Sequence, residues 1–306
     1  MGRYILKRIL ISLATLLVLV TVVFALVRLM PGDPFSSEKM TPQVRQNLER
    51  YYGFDKPVLE QYLTYMGRLV RGDLGYSMKY ANVTVNEIIA KAFPYSADLG
   101  LRALAIAVSV GLTLGVVSAL NRKKPIDAVC VVVAIIGTSI PDFIMGYVLQ
   151  YFFGIRWGLL PIAQYKGFAY TILPSVGLGF YTLALVSRLM RSSMLEVVQQ
   201  DYVKTARAKG ASRFRIVRKH MIRNAILPIV TVLGPITASV LTGTFVIESI
   251  FAIPGMGKFY VSSVQSLDYT LVLGMTVFFG AFLVTANLIV DVLYGIVDPR
   301  IRVARG

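Results

Sequence analysis

The sequence predicts an all-α integral membrane protein of about six transmembrane helices, with both termini in the cytosol. Three observations predict it. Of 306 residues, 56% are hydrophobic and only 16% charged, whereas soluble domains carry about 25% charged residues. Apolar runs recur at the roughly 20-residue length a helix needs to cross a hydrocarbon layer about 30 Å thick. The basic residues, which give a net charge of +16, are sorted by loop.

The first run, Ile9 to Val27, follows Arg3, Lys7 and Arg8. A secretory signal starts in the same way, but its apolar region covers only about 7 to 15 residues and ends at a small-residue cleavage site. Here the run is longer and ends at Arg28-Leu29-Met30-Pro31-Gly32, so residues 1–30 are expected to form an uncleaved N-terminal segment and first span. Residues 31–98 form an extracytoplasmic cap. Apolar residues at helical spacing (Val44, Leu48, Tyr51 and Tyr52, then Leu59, Tyr62, Leu63 and Met66) predict helix between Thr41 and Arg71, with Pro42 near a helix start. Gly72-Asp73-Leu74-Gly75 reads as a turn.

Residues 99–306 supply the core. Spans are expected at Leu99 to Leu120, Ile126 to Phe153, Tyr170 to Leu189, Ala225 to Ser249 and Leu271 to Val297, with a cytosolic loop at 190–224. Arg122, Lys123 and Lys124 follow the second span, and Arg300, Arg302 and Arg305 close the chain. The stretch from Arg188 to Arg223 carries ten Lys and Arg against Glu196 and Asp201. The short loops on the other side hold only Arg156, Lys166 and Lys258. The positive-inside rule therefore makes the basic side cytosolic. The long segment from Arg28 to Asp98, with nine Lys and Arg against eight acids, does not oppose this, because long loops translocate largely regardless of charge. Charge sorted in this way is a membrane signature, and it argues against nucleic-acid binding, which needs a basic patch on a soluble face.

Ala103, Ala107, Gly111, Gly115 and Ala119 recur at four-residue intervals in the second span. Either this is a chance run in an Ala-rich helix, or it is a ridge that admits close helix packing in lipid. The third span holds Pro141, and the fifth holds Pro228, Gly234, Pro235 and Gly243. Interrupted spans either line a pathway or are kinks buried in the bundle. Intramembrane charge is costly, and most charged residues here are placed near span ends: Arg102 and Glu248 externally, Asp127 and Asp291 toward the cytosol. Asp142 alone sits mid-span, beside Pro141. It lines an aqueous path, binds a cationic substrate group, or makes an interhelical hydrogen bond. Pro141, Asp142, Pro235 and Glu248 are the candidate pathway or gate residues.

Catalytic residues are not expected. His220 is the single histidine and Cys130 the single cysteine, so neither a His or Cys metal site nor a disulfide framework is available. Gly255-Met256-Gly257-Lys258 lacks the spacing of a phosphate-binding loop. The chain is expected to bind no cofactor, and any ATP must act on another subunit.

The cytosolic loop is the most informative segment. Tyr202 to Lys209 contains good helix formers, Gly210 suits a left-handed C-terminal cap, and Ser212 can cap a following helix. In that second helix Phe214, Val217, Met221 and Ala225 are expected on one side and Arg215, Lys219 and Arg223 on the other. The small residues Thr205, Ala206 and Ala208 would let the first helix dock closely into a groove; the alternative for such a basic amphipathic loop is membrane-surface anchoring.

An alanine-containing helix, a glycine and a basic stretch ending at Ile226-Leu227-Pro228 resembles the coupling loop of binding-protein-dependent ABC importer permeases. That family's general pattern begins Glu-Ala-Ala, with glycine four residues after the second alanine. Lys204-Thr205-Ala206 before Gly210 departs from its first two letters and is similar to the oligopeptide and dipeptide branch. So are Met30-Pro31-Gly32-Asp33-Pro34, Gly72 to Ser77, Glu248 to Gly257, Asp268-Tyr269 and Asp291 to Arg300. The resemblance implies a type I ABC importer permease fold in a bacterial or archaeal cell membrane. It implies as partners a second homologous permease, two ABC ATPase subunits that bind ATP and Mg, an extracytoplasmic binding protein, a peptide substrate and membrane lipid. It also implies an ATPase-coupling role for Tyr202, Lys204, Thr205, Ala206, Arg207, Ala208, Lys209 and Gly210. Alternatives are a permease for nickel or another small solute, and a membrane receptor or scaffold that transports nothing.

Overall fold

The computed structural model describes residues 2–31, 46, 49–50, 53–80, 82–241 and 245–297. Among these the chain is helical, with one isolated β-bridge between Tyr76 and Thr84. Four helices are long and apolar enough to cross a membrane: α1 (Gly2–Leu29), α3 (Val85–Leu120), α6 (Phe168–Val197) and α12 (Tyr269–Val297). Between α1 and α3 lies α2 (Val58–Val70). The expected third span is two helices, α4 (Pro125–Ser139) and α5 (Asp142–Leu149), the latter continuing as a π-helical stretch, Gln150–Arg156. They meet at an angle of 114°. Proline disfavours helical backbone in the residue before it, and Ile140 is accordingly extended.

Beyond α6 come α7 (Asp201–Ala208) and α8, a helical stretch over residues 213–225. The expected fifth span is α9 (Leu227–Leu241) followed by α10 (Phe245–Ile250), and Gly243 falls outside the described residues. The chain then forms α11 (Met256–Gln265) and α12. α3 starts at Val85, well before the expected Leu99. The first half of the helix expected between Thr41 and Arg71 lies almost wholly outside the described residues, as do the closing arginines; its second half is α2.

The chain divides into two compact units. The first comprises Met1–Pro94 and Gly255–Leu288. Within it Phe24 and Val27 of α1 are buried with Tyr269, Val272 and Leu273 of α12, and Tyr62 and Tyr65 pack against them. A second cluster joins Val85, Ile88, Ile89 and Ala92 of α3 to Met256, Leu271 and Met275. The Gly72–Gly75 turn is present: both glycines have positive φ, and Asp73 Oδ1 accepts the Gly75 N–H at 2.9 Å. Asn86 fastens it by accepting from Leu74 N at 3.0 Å and donating to Gly72 O at 2.7 Å. Nearby, the buried Asp268 carboxylate accepts from Ser77 Oγ, from the backbone N–H groups of Met78 and Lys79, and from Leu271 N at the start of α12.

The second unit comprises Tyr95–Pro254 and Ile289–Gly306. Its axis is α6, which is buried along most of its length. The approaches to α6 are too close for side chains. A Cβ on Gly111 would stand 2.8 Å from Leu183 O, one on Gly115 2.6 Å from Met190 Cβ, and one on Gly137 2.6 Å from Ala184 Cβ. Conversely, a Cβ on Gly179 of α6 would stand 2.7 Å from Ala103 O. Small residues permit such approaches where apolar burial gives little advantage because the surrounding lipid is itself apolar.

Candidate functional site

Two places in the second unit gather the candidate residues. The first is the α7–α8 hairpin. Gly210 has φ of +76°, the left-handed conformation that glycine adopts without a Cβ penalty. Its N–H donates to Arg207 O and the Ala211 N–H to Ala206 O, which closes α7. Ser212 Oγ then accepts from Arg215 N at 3.4 Å and starts α8. Helix, turn and helix follow the local sequence signals.

The faces differ from expectation in two respects. Ala206, expected on the docking side, is only 7% exposed and packs with Val203 against Met190 and Met194 of α6 and Ile216, Met221, Ala225 and Ile229 beyond the turn. Its small size serves the chain's own core. The outer side of α7 presents Tyr202, Lys204, Thr205, Arg207, Ala208 and Lys209. Lys204 Nζ pairs with Asp201 at 2.8 Å and holds that carboxyl below its usual range; both groups are exposed, so the pair contributes little stability. In α8 the stretch Ile216–Ile222 is π-helical. The wider turn buries Ile216 and Met221, five positions apart, and leaves Phe214 73% exposed rather than on the buried side. Arg215, Lys219 and Arg223 are exposed as expected.

The second place is the break between α4 and α5. Pro141 and Asp142 join Thr138, Leu178, Tyr181, Thr182, Ile236 and Ser239, among others, around a cavity of about 410 Å³. The structure therefore brings the α4–α5 break to the α9 turn that follows Pro235; Pro235 itself is exposed and does not line the cavity. Asp142 is half-buried, and its Oδ1 accepts the Phe143 N–H at 2.8 Å.

Glu248 is elsewhere. Expected near water at a span end, it is 1% exposed, and its Oε1 accepts from Ser96 Oγ at 2.6 Å. Asp127, in the first turn of α4 and so at a span end as expected, is likewise buried rather than solvated. It accepts from Arg191 Nε at 2.8 Å, Arg191 Nη2 at 3.0 Å, Ser118 Oγ at 2.5 Å and Lys123 N at 3.1 Å. A bidentate arginine supplies two charge-assisted bonds at once, which allows the carboxylate to leave water. Sequence spacing gives no sign of either arrangement, because Ser96 and Arg191 are remote from their partners along the chain. The Arg102–Asp98 pair, at 2.7 Å, is the local i, i+4 contact that spacing does foresee. Of the small-residue ridge, Ala103, Ala107, Gly111 and Gly115 are buried, and Ala119 is half-buried.

The second unit thus holds a broken helix pair with a cavity at the break, and a short helix, α7, with one side buried and the other exposed. Comparison with known proteins gives the family. The model of the binding-protein-dependent transport system inner membrane component matches residues 111–303, and that of the N-terminal part of such membrane components matches residues 1–100. The chain belongs to this family of binding-protein-dependent transport system membrane components.

It is 44% identical to the dipeptide transport system permease protein DppB of Bacillus subtilis, over 99% of this chain and 98% of that protein. It is 42% identical to the oligopeptide transport system permease protein OppB of Haemophilus influenzae, over 99% and 100%. A solved structure of an amino acid ABC transporter has the same fold, with a TM-score of 0.54 at 16% identity, covering 68% of this chain and 93% of that one.

Proposed function

We propose that the chain is the permease subunit of an ATP-driven oligopeptide or dipeptide importer, forming half of a translocation pathway. Full-length similarity to peptide permeases supports the substrate class. The observation that carries the mechanism is the two-sided α7: Val203 and Ala206 are seated in the core at the end of α6, while the opposite side is exposed. A helix held in this way transmits a push. Two ABC ATPase subunits, binding ATP and Mg, would grip the outer side of α7, with Arg207 and Lys209 meeting acidic groups. Their closure would move α6 and α9 through the shared cluster. A second homologous permease completes the pathway, residues 31–98 form an extracytoplasmic cap, and a binding protein delivers peptide from outside. The setting is a bacterial or archaeal cell membrane.

The test is reconstitution of the chain with these partners in proteoliposomes. Peptide uptake that requires ATP and the binding protein is expected. Uptake of Ni²⁺ and no peptide, or ATP hydrolysis indifferent to the loaded binding protein, would refute the reading.

A further inference from the structure

Among the described residues the cavity at the α4–α5 break has one charged lining residue. Asp142 shares it with the hydroxyl-bearing Thr138, Ser139, Tyr181, Thr182 and Ser239, and the remaining lining is apolar. Leu178, Tyr181 and Thr182 stand near the middle of the 30-residue α6, so the cavity lies at membrane depth. A carboxylate there is expensive, and such residues face a water-filled cavity or pair with a partner. Among the described residues no Lys or Arg lines the cavity. Buried Asp127, by contrast, has its own arginine. The Asp142 carboxylate, whose Oδ1 accepts the Phe143 N–H in the first turn of α5, therefore has no side-chain cation in the cavity among the described residues.

The chemistry of a partner cation follows from the lining. An ammonium group presents three N–H donors and no acceptor, which suits a carboxylate surrounded by hydroxyl oxygens. Nickel, zinc or copper would favour imidazole or thiolate ligands, and no group of three or more His, Cys, Asp or Glu suited to a metal occurs among the described residues. A volume of about 410 Å³ falls within the roughly 300–1,000 Å³ of small-ligand pockets. Side chains vary from peptide to peptide, whereas the α-ammonium is present in every unmodified one. We propose that Asp142 receives the α-ammonium group of the peptide in this cavity, as a waypoint that selects free N-termini during passage through this half of the pathway. The proposal rests on the peptide-importer reading above.

The test uses the complete importer in proteoliposomes, with trialanine and N-acetyl-trialanine as probes, each at a concentration that saturates the binding protein. Asp142→Asn is expected to lower trialanine uptake roughly tenfold or more, the scale of one charge-assisted hydrogen bond. Uptake of the acetylated peptide, which the waypoint disfavours in the unaltered chain, should not fall further, and co-purification of the ATPase subunits reports an intact fold. Asp142→Glu should keep most trialanine uptake. Asp142→Asn carrying trialanine at the unaltered rate would overturn the proposal and leave the importer reading standing. Equal loss of both peptides in Asp142→Asn and Asp142→Glu would also overturn it, by showing a structural role. If the unaltered chain carries neither peptide, both readings fall together.

Discussion

Replacing Ala206 with leucine separates two roles that a small residue on α7 can have. Ala206 is almost fully buried among Val186, Met190, Met194, Val203, Ile216 and Met221, so three added carbons must enter a filled space. Met194, Ile216 and Met221 of this cluster also line a cavity of about 480 Å³, but Ala206 is not in its lining, so a leucine reaches that space only by displacing them. Overpacking of this kind costs about 1 to 3 kcal/mol, and 2 kcal/mol is roughly a 30-fold shift in a folding equilibrium. Ala206→Leu should therefore lower the thermal midpoint of the purified chain alone, with no ATPase present. Ala208→Trp on the exposed side should change that midpoint little, because surface substitutions are usually within about 0.5 kcal/mol, yet it should abolish co-purification of the ATPase subunits. The assay is thermal unfolding in detergent followed by affinity co-purification. If Ala206→Leu left the isolated chain as stable as before and only ATPase retention fell, the assignment of faces on α7 would be wrong.

Other consequences test the packing. Gly115→Ala places a methyl 2.6 Å from Met190 Cβ and 2.7 Å from Ser187 O; it should destabilise the second unit by about 1 to 3 kcal/mol, read as earlier proteolysis between α3 and α6. Asp127→Asn removes the carboxylate from a bidentate arginine that is itself partly exposed. The expected cost is about 1 to 3 kcal/mol, visible as a lower thermal midpoint that Arg191→Gln in the same chain partly restores. Asp268→Ala deletes the acceptor shared by Ser77, Met78, Lys79 and Leu271. It should cost about 3 kcal/mol or more and speed amide hydrogen exchange at Met78 and Lys79.

Residues that act through their sequence neighbours were legible before the structure. Long apolar runs mark α1, α3, α6 and α12, because a spanning helix needs length and composition alone. Gly210 and Ser212 announce the α7–α8 turn, because capping is local. Pro141 announces a break, but its 114° angle depends on the bed that α6 supplies for both halves. The burial of Glu248 and Asp127 was illegible for a related reason: a charge near a span end looks solvated until a distant Ser96 or Arg191 is brought to it. Phe214 departs from its α-helical expectation because the stretch that follows it, Ile216–Ile222, folds with the wider π turn.

The outer side of α7 is proposed to carry the thrust of the ATPases, and labelling at one position tests that claim. Cys130 is the single cysteine and is buried, so Ala208→Cys supplies one exposed thiol. Its maleimide labelling rate should be high in the chain alone, fall at least tenfold when the ATPase subunits bind, and change again when ATP is added. An assembled, ATP-hydrolysing complex in which that thiol labels as fast as in the free chain would contradict the claim.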